Sequence, residues 1–392
     1  MSISKIIQGS LASALALIVI LEASAHPDLT RFSRTAFTSS PEMVTCSLEN
    51  GVEARCYRIT VGYLPQGLEI GPFCPATLDD QGGIWEWTGD KAGLYRVNRD
   101  FFIMLDDLGY RFFDEDGTIH IADIATAKPE DEHACINVSP DESVQITMLI
   151  PVNPIIAESP KNLGTVSKIG VALNGVPIFS DAPQIQQTGH MPALDLCGGH
   201  IDPGGWYHWH GTATDIKTTF EYEQVDAECS ITQDPTAQFG YAFDGFEIFG
   251  SREADGSLPQ GLDACNGHIT KSDAGAENSY HYHSTPGFPN LPPCLVGVQA
   301  WDNFSTTATA GVGATRAGQD GRSEPPRPDR GGPPGMGPDL DAAAVKLGVS
   351  AELLGQSLHD AGGPNADLTV VAKALGVSEE KLRAALPPPV RR

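Results

Sequence analysis

The sequence predicts a mainly β protein, α+β overall, centred on a duplicated β-hairpin and His-x-His module that forms one pseudo-symmetric domain. Three observations lead there. Glycine and proline number 42 and 30 among 392 residues, a composition of turns rather than long helices. Short runs with strand-like alternation recur, among them Tyr57 to Tyr63 and Ser143 to Val152. One pattern occurs twice: Ile169-Gly-Val-Ala-Leu-Asn-Gly-Val-Pro-Ile-Phe179 returns as Phe239-Gly-Tyr-Ala-Phe-Asp-Gly-Phe-Glu-Ile-Phe249. At roughly 150 residues per domain the length suits two or three domains. The net charge of -25 argues against a nucleic-acid partner, because polyphosphate would be repelled.

The first element, residues 1–25, reads as a signal peptide. Lys5 supplies a positive charge, Leu11 to Leu21 form a short apolar run, and Ala23-Ser24-Ala25 offers small residues for cleavage. That run is short for a bilayer, and no later stretch reaches about 20 apolar residues. The expectation is a mature chain that starts near His26 and resides in the periplasm or outside the cell. An amino-terminal His26 could chelate copper through its amine and ring, although Pro27 and the unsettled cut site weigh against this.

Residues 26–160 follow as an α+β region. Asn98 to Leu108 carries apolar residues at helical spacing, and Tyr110 to Ile121 reads as a hairpin around Asp116-Gly117. The acidic string there resembles a calcium loop faintly, but Phe112 stands where the first acidic ligand belongs, so a plain turn is expected. Eight cysteines, an even number in an exported chain, imply four disulfides.

Residues 161–305 hold the duplication, with copies at about 164–230 and 234–300. Asn174-Gly175 and Asp244-Gly245 mark the two hairpin turns. Leu194-Asp-Leu-Cys-Gly-Gly-His200 is matched by Leu262-Asp-Ala-Cys-Asn-Gly-His268, and Trp206-Tyr-His-Trp-His210 by Ser279-Tyr-His-Tyr-His283. A cysteine closes each copy, Cys229 and Cys294. The symmetric pairing is therefore Cys197–Cys229 and Cys265–Cys294. Cys46, Cys56, Cys74 and Cys135 are left to pair within the first region, with Cys46–Cys56 and Cys74–Cys135 as one choice.

Residues 306–338, rich in Gly, Pro and Arg, read as a disordered linker. Residues 339–387 repeat a smaller motif, Lys346-Leu-Gly-Val-Ser350 and Ala374-Leu-Gly-Val-Ser378, and are expected to form two helical hairpins. Gly348 and Gly376 would end a helix, and Ser350 and Ser378 would cap the next. This tail is a docking or spacer module, with a protein partner as its expected ligand.

The chemistry lies in the histidines. On a strand, residues two apart share a face, so His208 with His210 and His281 with His283 can each converge on one point. Tyr207, Trp209, Tyr280 and Tyr282 would point into a core. His200 and His268 supply a third imidazole per copy. Three neutral imidazoles suit zinc or copper and leave a coordination position for water or substrate. If Cys197 or Cys265 were a thiolate, a site of one cysteine and three histidines would result. Asp195 and Asp263 are candidates to orient an imidazole from outside the ligand set. The two triads could also meet at the pseudo-twofold axis as one shared site. His120, His133, His190 and His359 have no partner at ligand spacing and read as surface or structural residues. No Gly-x-Ser-x-Gly, phosphate-binding loop or His-Glu-x-x-His helix occurs.

Leu262-Asp-Ala-Cys-Asn-Gly-His268, Tyr280-His-Tyr-His283 and Pro292-Pro-Cys294-Leu-Val-Gly297, with the upstream Tyr241 to Gly250 hairpin, resemble the YHYH domain family of secreted proteins. The resemblance spans about 165 to 300, and the first copy departs from it by reading Tyr-His-Trp-His, which keeps both histidines. It implies an exported, largely β domain and carries no activity with it. The functional expectation rests on the residues: an exported protein holding copper or zinc in histidine triads, open to metalloenzyme chemistry. The alternative is a disulfide-stabilised cell-surface module whose histidines and aromatics line a groove for a glycan or protein.

Overall fold

The computed structural model describes residues 27–125, 129–216, 229–231, 233–270, 279–287, 289–315, 341–349, 353–354, 357–358 and 368–386. The expected signal peptide, His26, His359, the Ser350 cap and most of the expected linker lie outside these residues. The fold is mainly β, as the composition predicts, and its centre is an eight-stranded sheet. In spatial order its strands are Gly199–Ile201, Tyr207–Trp209, Pro177–Phe179, Lys168–Ala172, Gln238–Ala242, Glu247–Phe249, Ser279–His283 and Gly267–Thr270. Each copy supplies four neighbouring strands, so the duplication is legible in the strand order itself.

The copies join where Lys168–Ala172 runs antiparallel to Gln238–Ala242. Gly170 faces Ala242, Val171 faces Tyr241, and Ala172 faces Gly240. These are equivalent positions of the two repeats, so a pseudo-twofold axis passes between Val171 and Tyr241. A Cβ on Gly170 would lie 2.1 Å from the Tyr241 carbonyl oxygen, and one on Gly240 would lie 2.4 Å from that of Val171. Glycine at both places is what lets the two backbones meet.

Within each copy the hairpin turns as expected, with positive φ taken by Gly175 and Gly245 alone. The second hairpin strand then pairs in parallel with the histidine strand, through Ile178 and Trp209 in the first copy and Phe249 and His283 in the second. Aromatics fill the core beneath. Tyr207, Trp209, Tyr241 and Tyr282 are all buried, and Trp209 stacks on Phe239 with ring centroids 5.3 Å apart. Each such ring contributes roughly 1.5–3 kcal/mol of burial.

A four-stranded antiparallel sheet covers this core, ordered Glu42–Ser47, Glu53–Gly62, Gln145–Pro151 and Phe304–Thr306. Ile59, Val61, Ile146 and Met148 pack into the same cluster as Val171 and Ile178. The last strand comes from beyond the duplication. Residues 306–315, assigned to the linker by composition, are therefore folded: Thr306 N–H donates to the Gly313 carbonyl and Thr315 N–H to that of Ala308, at 2.8 and 3.0 Å. Gly311 and Gly313, which suggested a linker, supply the positive φ of this turn instead.

Among the described residues of the first region the one long helix, α1, spans Arg99–Asp107. Asn98 caps it by accepting the Phe101 N–H at 3.1 Å, and Phe101, Phe102 and Leu105 form its buried stripe. These side chains build a second core with Trp85, Trp87 and Phe112. Asp116-Gly117 forms a tight turn in which Asp116 accepts the Thr118 N–H, with a single bridge from Phe113 to Ile119. All four disulfides take the pairing written above: Cys46–Cys56, Cys74–Cys135, Cys197–Cys229 and Cys265–Cys294.

Tail helices Asp341–Leu347, Leu368–Ala374 and Glu379–Ala385 share one small core that includes Leu347, Val371 and Leu382. Ser378 caps the last by accepting the Lys381 N–H at 3.2 Å. A bridge from Val349 to Asn162 ties the tail to strand Ile156–Asn162 of the same chain. No described helix is long and apolar enough to cross a membrane.

Candidate metal centres

Each triad is assembled on an antiparallel strand pair. His200 lies opposite His208 in one copy, and His268 opposite His281 in the other. His210 and His283 follow one turn of the pleat further on, held by N–H bonds to the Gly198 and Asn266 carbonyls at 2.7 and 2.8 Å. The loop before each pair is nailed down by an aspartate. Asp195 accepts from the N–H groups of Cys197 and Gly199 at 2.9 and 3.1 Å and from the Tyr207 hydroxyl at 2.9 Å. Asp263 repeats this with Cys265, Gly267 and Tyr280 at 2.8, 3.1 and 3.0 Å.

Two expectations are corrected here. Asp195 and Asp263 do not orient an imidazole, because their oxygens are taken by loop N–H groups and a tyrosine hydroxyl. Cys197 and Cys265 are disulfide-bonded and cannot serve as thiolate ligands. The same contacts explain Gly199 and Gly267. A Cβ at either would press on the Tyr207 or Tyr280 hydroxyl at 2.4 or 2.1 Å.

In the first triad the three Nε2 atoms form a nearly equilateral triangle. The edges are 3.1 Å from His200 to His208, 3.1 Å from His200 to His210, and 3.0 Å from His208 to His210. His200 Nδ1 donates to the Pro192 carbonyl at 3.1 Å, and His210 Nδ1 donates to that of Ser180. A ring that spends its Nδ1 proton this way presents a bare Nε2 lone pair when neutral. Both rings do so, and their lone pairs face each other. His208 Nδ1 lies beside the Trp206 carbonyl without closing a well-formed hydrogen bond.

The second triad follows the same plan. His268, His281 and His283 direct Nδ1 to the carbonyls of Gln260, Ser279 and Gly250 at 3.0, 3.3 and 2.8 Å. His268 and His281 bring their Nε2 atoms to 3.2 Å, and His283 Nε2 is buried with no hydrogen-bond partner. The ligand nitrogens of each triad lie within 4.8 Å of one another, so each could hold a metal ion. The triads stand toward opposite ends of the strand order, and every histidine ring contact between ligands is internal to one triad. They are two centres, not the shared site that symmetry allowed.

Burial favours the neutral form of five of these rings. It holds His200 and His208 well below the usual histidine range, with repulsion from the neighbouring rings adding to it. Burial likewise pushes His210 and His281 down to about 4, and it lowers His283. Neutral imidazoles are the form that binds metal.

Sequence reasoning missed several neighbours. Glu253 brings a carboxylate oxygen to 3.5 Å from His268 Nε2. Pro183 takes the equivalent place in the first copy, so the repeat alignment held that signal. His190, read as an isolated residue, lines a largely apolar cavity of about 340 Å³ beside the first triad. Asp202 lines it too, pushed up to about 7 by burial. Glu86 and Asp181 stand near His210, raised by burial to about 7 and about 6; Asp181 adds to the shift of Glu86 by charge. Only the fold brings Glu86 there.

Residues 147–259 match the family model described as YHYH protein. The segment is similar to that family, in line with the resemblance read from the sequence. The match takes in the first triad through Tyr207-His208-Trp209-His210 and ends before Tyr280, whereas the resemblance was read chiefly from the second copy. It also begins upstream of the duplication, within the strand Gln145–Pro151 that packs under it. No curated protein and no solved structure matches the chain.

Proposed function

We propose that this is an exported metal-binding protein in which each histidine triad holds one copper or zinc ion. The observation that carries the reading is the facing pair of bare lone pairs. His200 and His210 both commit Nδ1 to carbonyls, and their Nε2 atoms stand 3.1 Å apart. Two such nitrogens repel unless a proton or a cation lies between them, and burial disfavours the proton. Nitrogen ligands on a site of this size suit copper or zinc. A position left open at such a centre would give redox chemistry with copper or water activation with zinc.

The four disulfides support a home in an oxidising compartment, the periplasm or the cell exterior. The rival reading, a surface module with histidines lining a glycan or protein groove, calls for exposed rings. His208, His210, His281 and His283 are only 2%, 2%, 2% and 1% exposed. The test is elemental analysis of untagged protein from the periplasm, beside His208→Ala/His210→Ala and His281→Ala/His283→Ala. The expected result is two equivalents of copper or zinc in the native chain and one in each variant. Absence of metal, with no uptake of either ion on titration, would overturn the reading.

A further inference from the structure

We infer that the two centres are unlike: Glu253 closes the second as a fourth, carboxylate ligand, while the first keeps its fourth position open beneath a cavity. This rests on the metal reading above and assigns each centre a coordination set.

The two copies diverge just past their hairpins. The hairpins end at Phe179 and Phe249, and the next residues, Ser180 and Gly250, offer their carbonyls to His210 and His283 Nδ1. Three residues on stand Pro183 and Glu253. Proline has no side-chain donor. Pro183 instead forms part of the cavity wall with Ile136, Pro192 and Val312, over His200, His208 and His210; His190 and Asp202 share that wall, but neither belongs to the mutually close set of ligand atoms, and the Asp202 oxygens are taken by the Gly204 and Val312 N–H groups. A cavity of about 340 Å³ admits a small molecule above the metal position.

Glu253 is different in kind. Its oxygen stands 3.5 Å from His268 Nε2, longer than a normal N–H···O bond. His268 in any case spends its Nδ1 proton on Gln260, so a neutral ring has none to give at Nε2. Two ligands of a tetrahedral ion, each about 2.0–2.1 Å from it, stand about 3.3–3.4 Å apart. The Glu253–His268 separation is close to such an edge; the mutually close ligand atoms are those of the three histidines alone, so the carboxylate completes the set by turning further toward His281 and His283. The turn bearing Glu253 is also fixed. Its N–H donates to the Ser257 carbonyl at 2.9 Å, its carbonyl accepts from Gly256 at 2.8 Å, and Arg252 bonds the Gly256 carbonyl at 2.9 Å. A carboxylate also halves the net charge that a divalent ion would bring into the second centre.

The experiment uses the full chain loaded with Co²⁺, whose visible spectrum reports coordination, and sodium azide as a ligand for any open position. The native protein is expected to bind two Co²⁺ and to take up azide at one of them. In Glu253→Gln one Co²⁺ should bind at least about tenfold more weakly, the other unchanged, and azide should reach both. The same substitution in a His208→Ala/His210→Ala background isolates the second centre and should show the full loss there. Unchanged affinity and azide uptake in Glu253→Gln would overturn the inference alone, leaving Glu253 as a polar neighbour of His268. Failure of the native chain to bind Co²⁺ would overturn the metal reading itself, and the inference with it.

Discussion

His200 and His210 point bare Nε2 lone pairs at each other across 3.1 Å, each fixed by a carbonyl behind it. A bound cation relieves that repulsion only in the folded state, so binding and stability are linked. Zn²⁺ at about 100 times its dissociation constant is expected to stabilise the protein by about 2.7 kcal/mol per centre. Urea midpoints with and without Zn²⁺ measure this, and the gain should halve in His208→Ala/His210→Ala.

The metal-free protein should weaken in acid through its triads. The folded pKa values of His208 and His281 lie below the unfolded value of about 6.5, His281 at about 4. Their contribution is therefore fully present above about pH 6.5 and is lost as pH falls toward 4. Glu86, Asp181, Asp195 and Asp202, raised to about 7, 6, 6 and 7, act in the opposite sense over this interval. The informative measurement is the difference between the native chain and His208→Gln/His281→Gln. The native chain should lose stability more steeply from pH 6.5 to 4, and parallel curves would count against the assignment.

Gly199→Ala and Gly267→Ala should each cost about 1–3 kcal/mol, since the new methyl meets a tyrosine hydroxyl held in place by an aspartate. Thermal denaturation reads this directly. Pairing Gly267→Ala with Tyr280→Phe should recover part of the loss, because the hydroxyl is the nearest obstruction there, whereas at Gly199 the His208 carbonyl oxygen stands as close as the Tyr207 hydroxyl.

Removing one repeat disulfide should also be costly. Cys197–Cys229 and Cys265–Cys294 close spans of 32 and 29 residues, for which loop entropy gives about 3.6–3.7 kcal/mol each. Cys265→Ala/Cys294→Ala should lower the urea midpoint accordingly. It should weaken metal binding at the second triad more than at the first, because Cys265 sits in the turn that sets His268.

Much of this was legible because the chain says it twice. The hairpins, the triads and the pairings of Cys197 with Cys229 and Cys265 with Cys294 all follow from matching one copy to the other. Asn98 and its apolar stripe likewise announced the α1 helix by local rules. What the sequence hid depends on distance in space. Composition made residues 306–315 a tether, yet strand Phe304–Thr306 finds its partner in Gln145–Pro151. Asp195 beside a triad suggested an imidazole partner, but Gly199 and Tyr207 reach its oxygens first. Glu253 carried no local motif, and only its place beside His268 gives it meaning.

The meeting of Val171 and Tyr241 has a consequence for descent. A single copy on its own would expose strand Lys168–Ala172 as an open edge, and two such chains would satisfy each other by the same isologous contact. Fusion of two genes' worth of module makes that encounter intramolecular and independent of concentration. It also releases the halves from identity. A symmetric dimer must carry the same residue at equivalent positions, whereas this chain carries proline at 183 and glutamate at 253.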